Sequence, residues 1–175
     1  MLIILSGLPG SGKTTLARAL ANRVGAVHVR IDTIEQAIRE TFGQDFEVGP
    51  AGYVASYGVA ADNLNLGHVV IADSVNAISV TREAWRSVAS RSNVPAIEIM
   101  VICSDPVEHR KRVEMRALDA EGMLSPSWDK IASRAFEPWA EALVVDTAEA
   151  TVEDLVNQML VVLPLVFLPR APPPR

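Results

Sequence analysis

The sequence holds one cysteine, Cys103, so no disulfide can form within the chain and a zinc centre built on cysteine pairs is excluded. Histidine is scarce too. His28, His68 and His109 stand about 40 residues apart, with none of the short spacings that bring two imidazoles to one metal. Basic charge is not in excess, since 16 Lys and Arg against 21 Asp and Glu give a formal charge of −5. That balance argues against a protein whose main work is gripping long nucleic acid. No apolar run reaches the roughly 18 residues of a membrane span, and the opening Met1-Leu2-Ile3-Ile4-Leu5 lacks the basic region of a signal peptide. The expectation is a soluble, cytoplasmic protein without membrane contact. With 175 residues, 49% of them apolar, the length fits one domain on a prior of roughly 100–200 residues.

Short apolar segments alternate with longer amphipathic ones. Strands are predicted at residues 2–5, 26–31, 68–72, 96–102 and 142–145. A Gly-rich turn follows the first, and a helix then runs to about Arg23. Further helices are expected over residues 32–41, after the loop 42–50, over 81–92, from Asp105-Pro106 to about Leu118, and over 152–163. Tyr53, Tyr57, Ala60, Ala61 and Leu64 recur at helical spacing. Asp105, Pro106 and Glu108 form a helix-start signature with a capping box, and Thr151 caps the last helix. Strands separated by helices mean βαβ units, so the fold class is α/β, a three-layer sandwich around a mostly parallel five-stranded sheet. The domain is expected to span residues 1–163, and residues 164–175, with five prolines, read as a polyproline-type tail.

Gly7-Leu8-Pro9-Gly10-Ser11-Gly12-Lys13-Thr14 fills every fixed position of G-x-x-x-x-G-K-[ST]. Glycines let backbone N–H groups turn in around a phosphate with no Cβ in the way. Lys13 would reach the β- and γ-phosphate oxygens, Thr14 would ligate Mg²⁺ through its hydroxyl, and Thr15 completes the nucleotide-binding run. The motif directly follows an apolar strand and opens an Ala/Leu-rich helix, whose N-terminal dipole favours the same anion. A nucleoside triphosphate is the expected ligand.

The base-reading Asn-Lys-x-Asp of GTPases is absent, as is the Leu-Ser-Gly-Gly signature of transporter ATPases. The chain is also short for a motor or AAA+ module, which leaves the layout of a small kinase. Gly7–Thr14, with Val29-Arg30-Ile31-Asp32 and Val69-Val70-Ile71-Ala72-Asp73-Ser74-Val75-Asn76, resembles P-loop kinases of the polynucleotide 5′-kinase, chloramphenicol phosphotransferase and zeta-toxin-like group. Thr81-Arg82-Glu83-Ala84-Trp85 and the helix from Asp105 fit the same layout. The resemblance implies ATP-dependent transfer of a γ-phosphoryl group to a hydroxyl, and a strand order of 2-3-1-4-5.

Asp32, at the end of the second predicted strand, lies at the sheet edge where ligands of open α/β folds bind. There a carboxylate can take the proton of an attacking hydroxyl, while Asp32-Thr33-Ile34-Glu35 can equally be read as a capping box. Asp73, after the third strand, is placed to support Mg²⁺ or to cap the next turn. Ser74 and Asn76 are candidates for acceptor or phosphate contacts, or are turn formers. Arg112 and Arg116, at i and i+4, share a helix face that can stabilise transferred phosphoryl charge or simply be solvated. A lid is expected over about residues 116–134, and Arg82 and Arg134 read as ion-paired surface residues. The acceptor region, residues 35–66, is aromatic (Phe42, Phe46, Tyr53, Tyr57) and poor in basic residues.

The resulting expectation is an ATP–Mg²⁺ kinase acting on a hydroxyl-bearing small molecule. Alternatives are a 5′-hydroxyl polynucleotide kinase, a toxin-like kinase acting on a nucleotide sugar, or a nucleotide-binding switch with no acceptor. Transfer to a nucleoside monophosphate is disfavoured by the absence of an arginine-rich monophosphate site.

Overall fold

Every residue of β1 (Leu2–Ser6) is buried, because the strand has neighbours on both edges and helices over both faces. A computed structural model describes residues 1–119 and 127–163, the side chains of 116–119 excepted. Around β1, the strands β2 (Val27–Arg30), β3 (Val70–Asp73), β4 (Ala96–Ile102) and β5 (Leu143–Asp146) complete one sheet in the order β2-β3-β1-β4-β5. All four pairings are parallel, so the sheet is wholly rather than mostly parallel, with the expected strand order. Parallel neighbours need crossovers. These are α1 (Lys13–Val24), α2 (Ile31–Phe42) with α3 (Ala51–Asn65), α4 (Ser79–Arg91), and α5 (Pro106–Asp119) with α6 (Trp128–Ala132); α7 (Val152–Val162) follows β5.

Side-chain alternation along β1 creates the layers. Ile3 and Leu5 face Leu16 and Leu20 of α1 and Leu155 and Met159 of α7. Leu2 and Ile4 face Ala60 and Leu64 of α3 and Trp85 and Val88 of α4. Each fully buried aliphatic side chain contributes about 2 kcal/mol relative to exposure. No helix among the described residues is long and apolar enough to cross a membrane.

Several boundaries differ from expectation. The third strand is Val70–Asp73, not 68–72, because Asp73 is held in the ladder opposite both Leu5 and Arg30. The second ends at Arg30, and α2 starts at Ile31 with no intervening turn. Within the stretch expected as a lid, α6 is a short helix; residues 120–126 and the proline-rich tail 164–175 lie outside the described residues. Asp105 Oδ1 accepts from the N–H groups of Val107 and Glu108 at 2.8 and 3.1 Å. Glu108 does not complete the box, because its carboxylate pairs with Arg112 at 2.9 Å, one turn further on. Thr151 caps α7 as expected, accepting from Asp154 N–H at 3.2 Å.

Candidate active site

The loop between β1 and α1 lies at the carboxyl end of the sheet. Its Gly7, Gly10 and Gly12 take φ values of 140, 82 and 93°. A Cβ on Gly7 would stand 2.1 Å from the carbonyl oxygen of Val101 on β4, so only glycine lets the chain leave β1 this close to its neighbour. Gly7 N–H and Ser6 Oγ both donate to Val75 O, at 3.2 and 2.8 Å, tying the loop to the segment after β3. Leu8, Pro9 and Gly10 are half-buried and Ser11 is buried. Gly12 opens α1 without a side-chain cap, which leaves first-turn N–H groups for an anion. Lys13 is buried and donates to Leu8 O at 3.1 Å. Thr14 is half-buried and Thr15 exposed.

Two carboxylates lie at this same end of the sheet, Asp73 ending β3 and Asp32 two residues after β2. Asp73 is 3% exposed. Burial is the largest influence on its carboxyl and pushes it up; the hydrogen bond from His28, the charge of Lys13 and the Thr14 hydroxyl together hold it below its ordinary value. An ionised carboxylate next to the Thr14 hydroxyl is an oxygen donor set that fits a hard divalent cation. Among the described residues no three His, Cys, Asp or Glu gather as a metal cluster, so such a cation would draw its other ligands from phosphate and water, the usual way for Mg²⁺. Asp32 is the second residue of α2, whose N-cap position is Arg30 and has no side-chain cap. The capping-box reading of Asp32 is therefore corrected: α2 starts too early for Asp32 to cap it. Its Oδ2 accepts from Arg30 Nη2 at 2.9 Å, and Arg30 Nε lies 4.0 Å from Asp73.

Beyond Asp32, α2 presents Glu35, whose carboxyl is pushed up mainly by burial and also by Asp32, against the pull of Arg39 at 3.5 Å. Tyr53 of α3 faces the same region, its hydroxyl accepting from Asn76 N–H at 3.5 Å. Asn76 takes φ 48° and sends its Nδ2 to Leu5 O at 3.0 Å, so it fastens the loop after β3 to β1. Ser74 is buried beside Tyr53. Tyr57 packs edge-on against Trp85 with ring centroids 4.6 Å apart, a half-buried side chain lying against the core. Phe42 and Phe46 stack on each other at 5.0 Å and are largely exposed.

Arg112 is engaged rather than extended into the open site: besides Glu108, it donates to Thr147 Oγ1 and O at 2.8 and 3.0 Å. The backbone of Arg116 belongs to α5, while its side chain lies outside the description. Arg82 is ion-paired as expected, with Glu137 at 3.4 Å, but its place is corrected from surface to core. It is 3% exposed, donates to the carbonyls of Glu137 and Pro138 at 3.0 and 3.3 Å, and lies 5.2 Å over the Trp139 ring. Arg134 is exposed, as expected, and acts electrostatically on Glu35 and Tyr53. His28 and Thr147 escaped the sequence reading, as did the contact that His109, on the basic helix face with Arg112, makes with Pro9 of the loop. The only available signal was the i, i+2 spacing of His28 and Arg30, which puts both on one strand face.

A phosphate loop joining the central strand of a 2-3-1-4-5 parallel sheet to its first helix, with a carboxylate ending the adjacent strand, defines the P-loop kinase-like fold. The chain belongs to the AAA domain family (AAA_33), which it matches over residues 2–138. A provisionally named adenylate kinase of Pyrococcus furiosus is 27% identical over 165 residues, covering 91% of this chain and 82% of that protein. Among solved structures, a provisionally named kinase from Chloroflexus aurantiacus has the same fold at TM-score 0.76 and 21% identity, covering 91% of this chain and 96% of its own. The adenylylsulfate (APS) kinase CysC of Mycobacterium tuberculosis, solved with AMPPNP and APS, follows at 0.66 and 16%, covering 93% and 96%.

Proposed function

We propose that the protein is an ATP- and Mg²⁺-dependent kinase that phosphorylates a hydroxyl on a small molecule. The observation that carries this is the pairing of Asp32 and Asp73 around Arg30 at the carboxyl ends of adjacent strands, with Asp73 coupled to Lys13 and Thr14. In this reading Gly7, Leu8, Pro9, Gly10, Ser11, Gly12 and Thr15 wrap the phosphates, Lys13 neutralises the β- and γ-oxygens, and Thr14 and Asp73 hold the metal. Mg²⁺ supplies charge neutralisation across the phosphates. Asp32 takes the proton of the acceptor hydroxyl as its oxygen bonds to the γ-phosphorus. The bond from that phosphorus to the β,γ-bridging oxygen breaks, its electron pair leaves with ADP, and a phosphate monoester remains. Arg112 and Arg116 balance charge on the transferred group, which for Arg112 requires release from Thr147.

The name of the Pyrococcus relative favours a second reading, transfer to a nucleoside monophosphate. Against it, Arg39 is the lone basic residue between Glu35 and Leu66, and it is paired with Glu35 at 3.5 Å. Nucleic acid as acceptor is disfavoured by the same shortage of cations. The test is transfer of labelled γ-phosphate from ATP–Mg²⁺ to nucleosides, nucleotide sugars, hydroxylated antibiotics, AMP and a 5′-hydroxyl oligonucleotide. Label on one small hydroxyl compound, lost in Asp32→Asn, supports the reading. Label on AMP or the oligonucleotide selects a rival, and release only as free phosphate, unchanged in the variant, means a nucleotide-binding switch.

A further inference from the structure

The phosphate loop is gripped from outside by residues that do not belong to its motif. His109 of α5 is buried, and its Nε2 lies 2.8 Å from Pro9 O. A carbonyl oxygen only accepts, so Nε2 carries the proton and donates. The ring is held edge-on to Trp128 at 81°, and its Cδ2 stands 3.1 Å from where a Cβ on Gly10 would sit. The second grip is Thr147, directly after β5 and likewise buried. Its Oγ1 is 2.8 Å from Ser11 O and 3.1 Å from Ile102 O, and its N–H donates to Ile102 O at 2.9 Å. Arg112 donates to both its hydroxyl and its carbonyl. With Arg112 occupying an oxygen lone pair, the Thr147 proton is directed to Ser11 O, the shorter contact.

A trans peptide is planar, with its C=O and N–H pointing in opposite directions. The described residues contain no cis peptide. Drawing Pro9 O towards His109 therefore turns the Gly10 N–H away from α5. Drawing Ser11 O towards Thr147 turns the Gly12 N–H away from the β5–α7 connection in the same manner. Glycine-flanked peptides flip readily, and a loop that must order its donors on binding loses affinity to that ordering. Donors fixed beforehand avoid the loss.

We propose that His109 and Thr147 are positioning residues that preset the Gly10 and Gly12 N–H groups for nucleotide phosphates, with Arg112 holding Thr147 from α5 while the nucleotide binds and before any phosphoryl transfer draws Arg112 away. This rests on the reading of the loop as a nucleotide site. It adds that the site is shaped from α5 and the end of β5, and that nucleotide affinity responds to changes there.

The test uses the full chain, isotopically labelled, titrated with Mg²⁺–ADP. The amide signals of Gly10 and Gly12 are followed by NMR, and affinity is measured by calorimetry. Both amides are expected to shift downfield on binding. Thr147→Val and His109→Leu are expected to weaken ADP binding by about five- to twentyfold, the worth of one oriented hydrogen bond or somewhat more. Thr147→Ser and His109→Gln keep a donor in place and are expected to stay within about threefold of the parent. A merely structural role would lower the unfolding temperature in all four variants without this split. If the parent binds ADP but neither amide shifts, or if Val and Leu bind as tightly as the parent, the proposal is overturned while the nucleotide reading stands. The NMR measurement on the parent decides even if a variant does not fold. Should the parent not bind ADP, or bind it no better than Lys13→Ala, the nucleotide reading itself fails and this inference falls with it.

Discussion

His28 Nε2 lies 3.1 Å from Asp73 Oδ2, with Arg30 Nε 4.0 Å from the same oxygen. Residues two apart on a strand face the same way, so β2 offers an imidazole and a guanidinium together to the carboxylate that ends β3. Asp73 is held below its ordinary range, so it accepts and His28 donates. This pairing keeps a buried carboxylate charged beside Lys13 and Thr14, where an unpartnered one would take up a proton.

Replacing Asp32 by Asn removes a proton acceptor while keeping the side chain's size. Phosphoryl transfer is expected to fall by about 10²–10⁴-fold, with nucleotide affinity unchanged. Single-turnover transfer and calorimetry on the same preparation check the two halves of the statement.

The chain has two tyrosines, and burial, the largest cause for each, pushes both up, Tyr57 to about 12 from 10.0. A raised value favours the neutral form in the folded state, so this contribution to stability is full below the unfolded value of 10.0 and is lost as pH rises through about 12. Absorbance at the tyrosinate band between these limits is expected to stay low in the native protein and to rise on unfolding at the same pH. Equal signals from both states would contradict the packing described for Tyr53 and Tyr57.

Arg82 joins α4 to the segment before β5 through two carbonyls and the Trp139 face. Arg82→Met keeps the buried stem but removes the donor to those carbonyls and the ion pair with Glu137, and is expected to cost about 1–3 kcal/mol in urea unfolding. A change no larger than that of an exposed arginine such as Arg91 would show that the bonds are replaceable by water.

Two glycines with positive φ separate clash from backbone preference. Gly25 ends α1 at φ 66° with nothing within 4 Å of an added Cβ, so Gly25→Ala is expected to cost only about 1 kcal/mol. At Gly7 the added Cβ meets a backbone oxygen at 2.1 Å, so Gly7→Ala is expected to cost more than about 3 kcal/mol and to abolish nucleotide binding. Chemical unfolding and a nucleotide titration of both variants make the comparison.

Much of this protein was legible in its sequence because the signals are local. The phosphate loop is defined by four positions of fixed chemistry within eight consecutive residues. Strands and helices announce themselves through periods of two and 3.6 residues, and the helix starts at Asp105 and Thr151 follow from side chains that reach their own backbone. Boundaries were less legible where pairing rather than propensity decides them, as at Asp73, drawn into β3 by its neighbours on both sides.

The residues around the loop were decided by tertiary structure alone. Arg82 reads as a surface cation, yet it is buried because Trp139 and two carbonyls arrive from more than 50 residues away. Arg112 reads as free to meet phosphate, yet it is tied to Thr147, 35 positions on. His109 meets Pro9 across 100 residues. By itself the sequence determined the class of the fold and the anion-binding loop, since both depend on short-range backbone geometry. Which side chains grip that loop depends on how the crossovers bring distant strand ends together, and no spacing along the chain encodes that distance.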